Sequence, residues 1–535
     1  MHDRRHRPRF CGDDASSSPR RYRYGESRAA LWNGPSDAST RTGNPRGSTI
    51  RDRRHESLVG QATILKNRRS TMRIALIPAL LGLSLCGAAQ SVDRVYTADQ
   101  TSNTVSVIDP VANRLLGEIR LGENVPTAIS PLYRGQLLVH GLGFSPDHKT
   151  IDVISIGSNA VTLIDTQSNT VKGTVYVGRS PHEGFFTSDG KELWVAVRGE
   201  NYVSVIDPIA MKEVRRIETA NGPGMVLFRP DGKLAFVPSS FTPELDVIDT
   251  STYRVIARIP QVSPFSPNLA VDQDEVWFTL KDTGKTQIIS AQPPFKTIAT
   301  LETGPITNHV TLIENSKGKF AYVTVGGKNE VLVYQRGSGA EPKLVSTIQV
   351  GDLPHGIWGS GDGKRVYIGL ENGDAVQAID TATNRVIATI PVGQLPQALV
   401  YVPGAASSDA GTASLKPFST ATDALHIEMV SASSASPSTH ASVVVNPIGP
   451  IDNLQIAATG LTPKQGYRLM LTGASSSQEL VVFTAGPGGV GIAQTFGPLK
   501  HAVDPAQSSD SFALEVWTLD ADGKHHVVLH EAPRH

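Results

Sequence analysis

The sequence predicts an all-β chain, a seven-bladed β-propeller followed by a small β-sandwich, and three observations carry that expectation. Gly (49 residues) and Pro (35) are abundant, while long stretches of helical period are hard to find, which favours short strands and tight turns. A β-branched segment ending in Asp recurs seven times at the spacing of a four-stranded blade. Beyond the seventh recurrence, short alternating runs separated by turn residues continue towards the C-terminus, as in a sandwich.

The chain begins with a segment unlike the rest. Residues 1–71 hold fifteen Arg and one Lys, in clusters such as Arg4-Arg5-His6-Arg7 and Arg51-Asp52-Arg53-Arg54, with no hydrophobic periodicity. From Met72 the pattern becomes Met72-Arg73-Ile74-Ala75-Leu76-Ile77, then an apolar run to Leu85-Cys86-Gly87-Ala88-Ala89-Gln90. A short positive start, an apolar stretch too short to span a bilayer and small residues at its end read as a secretory signal over 72–89. Translation is therefore expected to start at Met72, and Arg68-Arg69-Ser70-Thr71 can be encoded by a purine-rich ribosome-binding sequence. Leu85 is bulky where a lipid-anchored signal would carry a small residue, so cleavage is expected near Ala88 or Ala89.

Removing residues 1–89 leaves 33 basic and 43 acidic residues. A chain near −10 does not bind nucleic acid non-specifically. The only cysteines, Cys11 and Cys86, lie in the removed part, so disulfides, thiolate ligands and a Cys nucleophile are not expected. The mature chain is expected to lack a transmembrane helix, to be monomeric, and to act in the periplasm or at the cell surface.

The repeats follow, over residues 90–403. Their anchor residues are Asp109, Asp165, Asp207, Asp249, Ser290, Gln335 and Asp380, spaced by 56, 42, 42, 41, 45 and 45 residues. The long first interval predicts an insertion around residues 124–139. The Asp carboxylates should accept backbone N–H groups in the next turn, as in Asp109-Pro110-Val111-Ala112-Asn113. Asp189-Gly190, Asp231-Gly232 and Asp362-Gly363 mark hairpins, because Gly takes positive φ without a steric cost. Gln397-Ala398-Leu399-Val400-Tyr401-Val402 has no partner strands after it and should complete a blade with residues 94–121, closing the ring.

Residues 404–423, rich in Gly, Ala, Ser and Thr, read as a linker. Residues 424–535 carry alternating runs such as Leu425-His426-Ile427-Glu428-Met429-Val430 and Phe512-Ala513-Leu514-Glu515-Val516-Trp517, the expected sandwich.

Ala321-Tyr322-Val323-Thr324 and Asn103-Thr104-Val105-Ser106-Val107-Ile108-Asp109 resemble the YVTN-repeat propeller family, over about residues 93–403. The resemblance implies an extracytoplasmic or cell-surface propeller and brings no shared catalytic motif.

One set of residues points to chemistry. Eight positions before the turn that ends an innermost strand stand His140, His182 and His355, with His309 one residue out of step behind Asn308. Asn268 and Gln397 hold the matching places in two further blades, and Gly224 in another. Because innermost strands line the channel, these side chains should converge on the axis, where four imidazoles could bind a transition metal (Cu or Zn) or an anionic ligand. Axial histidines on seven blades also resemble the propellers of nitrous-oxide reductase and haem nitrite reductases. Here, however, the mature chain lacks both the Cys of a copper domain and a Cys-x-x-Cys-His haem motif.

Gly-x-Ser-x-Gly, a phosphate loop and His-Glu-x-x-His are also missing from the sequence. Glu183 beside His182 reads as a loop residue, and His525, His526 and His530 as solvated positions. The expectation is a non-enzymatic binding or scaffold protein taking a protein, glycan or small ligand at its axial face, with Asn268, Asn308 and Gln397 as ligand-binding residues. The alternative is a metal site on His140, His182, His309 and His355.

Overall fold

The computed structural model describes residues 91–533, apart from 124–129, 131, 338–339, 409, 419–423, 435, 449–450, 475, 505–511 and 520–523. The leader, the signal segment and both cysteines lie outside the described residues. Seven four-stranded antiparallel sheets and one eight-stranded sheet account for nearly all of the regular structure. No helix among the described residues is long and apolar enough to cross a membrane.

The innermost strands of blades two to seven are Val139–Phe144, Pro181–Phe186, Leu227–Phe228, Leu269–Val271, Thr307–Asn315 and Pro354–Gly359. Blade one is the closing blade. Its innermost strand is Pro396–Ser407, which pairs with Ser91–Asp99 (Tyr96 opposite Val400, Val95 opposite Tyr401) and thereby joins the two ends of the ring. This strand runs into the segment expected to be a linker, and beyond it Lys416 bridges Glu118 in the closing blade. The connection from Arg120 to Val139 is the expected insertion; the corresponding connection in the next blade runs only from Tyr176 to Pro181.

Alternation sets the packing. Buried Tyr96, Val105, Val107, Leu142, Val153, Val400 and Val402 form one core between neighbouring blades, and six further clusters fill the other inter-blade gaps. The Asp turns form as expected. Asp109 Oδ1 accepts the N–H groups of Val111 and Ala112 at 2.9 and 3.1 Å, and Asp207, Asp249 and Asp380 repeat the motif.

A second repeated contact ties four of the blades to the next. Asn103, Asn159 and Asn329, all at positive φ, accept through Oδ1 the N–H of Leu138, Ser180 and Leu353, at 2.7–2.9 Å. Asn tolerates the left-handed region because its short amide bonds locally. In blade seven the place is taken by Asp374, at φ 46°, which accepts the N–H of Leu395 at 2.9 Å. Burial pushes its carboxyl up to about 7, with the Leu395 hydrogen bond opposing. The unfolded chain ionises near the ordinary carboxylate value, so this group lowers stability as pH rises from about 4 to about 7 and by a constant amount above that. Asp374→Asn keeps the acceptor and removes the charge. It is expected to stabilise the protein by on the order of 1–2 kcal/mol at pH 8, discounted for partial exposure, and by nothing near pH 4. Thermal melts at the two pH values check this; an equal effect at both would contradict the assignment.

The C-terminal domain has strands Leu425–Ser431, His440–Pro447, Asp452–Thr459, Gly466–Thr472, Ser477–Thr484, Gly491–Gly497, Ala513–Thr518 and Val527–Glu531. They form one strongly bent sheet whose two terminal strands meet through Thr495 Oγ1 donating to Leu480 O at 3.1 Å. The nearly closed sheet surrounds Met429, Val443, Leu454, Ile456, Leu469, Val516 and Leu529.

Candidate functional site at the propeller axis

Five of the seven innermost strands carry a bulge near their start, where an extra residue opposes the next strand. This is seen between Pro181 and Gly184, Thr307 and Val310, and Pro354 and Ile357. Bulges re-aim side chains, and here they stack two rings of residues around the axis. The first ring is His140, His182, Gly224, Asn268, Asn308, His355 and Gln397. The second is Gly141, Glu183, Met225, Leu269, His309, Gly356 and Ala398. The out-of-step position of His309 is thereby explained: it belongs to the second ring, and Asn308 takes the first-ring place.

The second ring favours glycine for a packing reason. A Cβ on Gly141 would lie 2.2 Å from His182 O, and one on Gly356 2.2 Å from Gln397 O. Glu183 and His309 stand where a side chain has room to reach the axis. Glu183 is not a loop residue: it lies in strand Pro181–Phe186 and is 2% exposed.

All four histidines come together, buried to 3–7% exposure. Ring centroids are 4.5 Å apart for His140 and His182, 4.6 Å for His309 and His355, and 6.4 Å for His140 and His355. Their hydrogen bonds fix their tautomers. His182 donates Nδ1–H to Gly224 O at 2.6 Å, so its Nε2 accepts from His140 Nε2 at 2.9 Å. His140 Nδ1 lies 2.6 Å from Gln100 Oε1, an acceptor, so it gains a donor only with the Gln100 amide turned over to present Nε2–H. Asn268 Oδ1 accepts from Val310 N–H, which turns its amide N–H towards His309 Nδ1 at 3.1 Å and leaves the His309 proton on Nε2. That nitrogen faces Glu183 Oε1 at 3.9 Å. His355 donates Nδ1–H to Gln397 O at 3.0 Å and presents its Nε2 lone pair to Glu371 Oε2, 3.9 Å away.

The electrostatics keep these rings neutral. Burial lowers His140 to about 3, helped by the charge of Arg198. Burial likewise holds His182, His309 and His355 well below the usual imidazole range. Burial raises Glu183 to about 8, with Arg198 opposing. Glu183 Oε1, His309 Nε2, Glu371 Oε2, Asn308 Oδ1 and Gln397 Nε2 are buried without a hydrogen-bond partner. Orphaned groups of this kind call for a ligand or ordered water.

Glu183, His309 and Asn268 form one end of a 210 Å³ cavity running along the channel, with Leu142, Phe185, Leu312, Ile357 and Leu399 among its walls. Trp358 stands inside it, stacked on Phe185 at 5.9 Å. The other side of the first ring is covered by the C-terminal domain. Gln455 Nε2 donates to Glu371 Oε1 and to Asn372 Oδ1 at 2.7 and 3.0 Å, Asn372 donates to Ser442 Oγ at 2.9 Å, and Asn453 reaches Thr101. Ile306 and Leu353 of the propeller pack with Ala457 and Val490 of the domain. The histidines thus lie beneath the second domain, not at an open mouth.

Of the ligand-binding candidates, Asn268 and Gln397 reach the axis. Asn308 is fully buried and donates to Pro354 O at 2.7 Å, across to the next blade. His525 stacks on Trp517 at 4.1 Å and His530 bonds its own neighbour's carbonyl, both far in sequence from the axial set. Sequence reasoning missed Gln100, Arg198, Lys281 and Glu371. Each stands four residues before the third strand of its blade, a position that an alignment of the repeats would have isolated.

For a metal, the hydrogen-bond pattern sets conditions. Holding one ion with all four imidazoles would require breaking the His140–His182 and Asn268–His309 bonds. Among the described residues no group of three or more His, Cys, Asp and Glu is arranged to hold a metal ion.

No protein-family model matches the chain, and no curated protein is similar to it. Among solved structures, a functionally unknown protein from Desulfotomaculum acetoxidans DSM 771 is similar over 58% of this chain and 99% of its own, at 12% identity and a TM-score of 0.49. The periplasmic gluconolactonase PpgL of Pseudomonas aeruginosa is similar over 58% and 99%, at 18% identity and 0.47. Hydrazine synthase of Kuenenia stuttgartiensis is similar over 50% and 90%, at 19% identity and 0.45. The strands themselves give the conclusion: the chain is a seven-bladed β-propeller with an eight-stranded β-domain seated over the histidine end of its axis.

Proposed function

We propose that this chain is an exported YVTN-type propeller that binds a small ligand in its axial cavity, with no chemistry of its own. The observation that carries the reading is the end of that cavity. An apolar-walled space terminates on a carboxyl and an imidazole, Glu183 and His309, whose facing atoms are buried and unpaired. Apolar walls with a few convergent polar groups are the usual make-up of a small-molecule site. The ligand expected is a compact molecule with an apolar body and a head that both donates and accepts hydrogen bonds. The signal-like segment from Met72 supports export, and the repeat motifs support the family.

Thermal-shift screening of small metabolites against the untagged protein tests the reading. A stabilising compound should bind one per chain, and Glu183→Gln and His309→Gln should each weaken it at least tenfold, as loss of a buried polar partner does. Binding unchanged in both variants would refute it.

A second reading is copper or zinc binding at His140, His182, His309 and His355. It is favoured by His182 and His355, whose Nδ1–H groups bond carbonyl oxygens in the manner of metal-ligating histidines. Elemental analysis separates the two. Stoichiometric metal, lost in His182→Ala and His355→Ala, would support this reading against the first.

A further inference from the structure

A third ring lies on the covered side of the histidines. It consists of the loop residues four positions before each third strand: Gln100, Ile156, Arg198, Ser240, Lys281, Gly326 and Glu371. Two of these are cations, and both belong to one local arrangement. The Arg198 guanidinium carbon lies 5.0 Å above the centre of the Phe265 ring. The carbonyl of the same Phe265 accepts the N–H of Lys281 at 3.1 Å. A single connecting segment, between blades four and five, therefore holds both cationic residues side by side.

Among the described residues neither cation makes an ion pair, although Glu371 stands on the same ring and Glu183 on the second. Glu371 is instead engaged through Oε1 by Gln455 of the C-terminal domain. Burial lowers both Arg198 (to about 10) and Lys281, and both cations depress the neighbouring imidazoles. Both residues nevertheless keep accessible surface, unlike the histidines behind them.

The roof adds independent unmatched donors and acceptors. In strand His440–Pro447 the residues Ala441, Val443 and Val445 face the domain's own core, so Ser442, Val444 and Asn446 face the propeller, as the Asn372–Ser442 bond shows. Asn446 is fully buried, yet neither its Nδ2 nor its Oδ1 has a partner. Gln397 Nε2, in the first ring below, is also buried and unpaired.

We propose that Arg198 and Lys281, roofed by the C-terminal domain, form a binding site for a small anion, a carboxylate or phosphate group. This site is distinct from the axial cavity on the other side of the histidines. Two unpaired cations in a partly desolvated place interact with an anion more strongly than exposed lysines do, because screening there is weak. The planar guanidinium takes two oxygens side by side and the ammonium supplies a point charge beside it. Docking of the C-terminal domain completes the site, since Gln455 engages Glu371, the carboxylate of the same ring, through Oε1.

Titration calorimetry at low ionic strength, on untagged protein, tests this with inorganic phosphate and with succinate as separate probes. One site per chain is expected for at least one probe. Its affinity should fall at least tenfold in Arg198→Gln and in Lys281→Gln, and should stay unchanged in the exposed control Lys191→Gln. The unliganded variants should melt no lower than the parent, because each loses an unpaired charge; a lower melt would mean that the cations serve the fold. Binding of phosphate alone identifies an inorganic or ester phosphate, and binding of succinate alone a carboxylate. No saturable binding of either probe, or binding that survives in the double variant, overturns the proposal. Glu183 and Arg198 interact electrostatically, so the two sites are separated with His309→Gln, a neutral exchange that should weaken the cavity ligand and leave anion binding unchanged.

Discussion

Replacing Arg336 with Ala is expected to cost about 3–5 kcal/mol of stability, the usual loss when one member of a buried ion pair is removed. Arg336 links blades five and six. Its Nε donates to Glu275 Oε2 at 3.0 Å and its Nη2 reaches Asp272, and the Arg336 side chain is 5% exposed, that of Glu275 3%. Trp277 Nε1 donates to the same Glu275 oxygen at 2.9 Å, and Trp277 lies under the guanidinium. Without the arginine, Glu275 is left as a buried charge held by one indole. The double variant Arg336→Met with Glu275→Gln keeps the acceptor for Trp277 and removes both charges, so it should recover at least half of the loss. Urea unfolding of the three proteins checks the cycle; a loss below 1 kcal/mol in Arg336→Ala would contradict it. The pH dependence has a definite sign. Burial alone would raise Asp272, but the hydrogen bond and charge of Arg336 hold it below the usual carboxylate range. That part of the stabilisation is present above the unfolded value, near pH 4, and is lost as pH falls through the lower folded one. The gap between parent and Arg336→Ala should therefore narrow below pH 4.

The second large effect concerns ring closure. The strand Pro396–Ser407 contributes Ala398, Val400, Val402 and Ala405 to the core shared with blades one and two, and Leu399 and Tyr401 to the core shared with blade seven. Ending the chain at Pro391 removes this strand, opens both cores and leaves Ser91–Asp99 as an unpaired edge. Such a chain is expected to lose cooperative unfolding. A chain ending at Pro417 keeps the strand and the Glu118–Lys416 bridge, and should retain a cooperative transition. Near-ultraviolet circular dichroism through a thermal ramp reads the difference. Two chains that melt alike would mean that closure is not what holds the ring.

Much of this architecture was legible because the repeat writes the same local rules seven times. Asp109 and Asp207 cap their turns as any Asp in that place would, and the orphan strand at Gln397 could pair only with the N-terminal strands once seven units were counted. The histidines were also legible, since position within a repeat fixes position around an axis. Glu183 was misread because a bulge places two consecutive residues on one face, which period-two alternation does not anticipate. The same bulge put His309 apparently out of step. Arg198, Lys281 and Glu371 stayed hidden for another reason: they lie on turns, where sequence pattern is weak and only the ring arrangement brings them together. The seating of the C-terminal domain over the axis rests on a few polar contacts, such as Gln455 with Glu371 and Asn372, and on a small apolar patch of Ile306, Leu353, Ala457 and Val490, none of which a local signal encodes.

The most direct test of the central claim, that the axis is a ligand site, is a crystal structure of untagged protein soaked with the most stabilising compound from the screen. The account predicts density for that compound between Phe185, Trp358 and Leu399, with its polar head within hydrogen-bond distance of Glu183 and His309. Density for ordered water alone in the cavity, with the compound bound elsewhere, would contradict it.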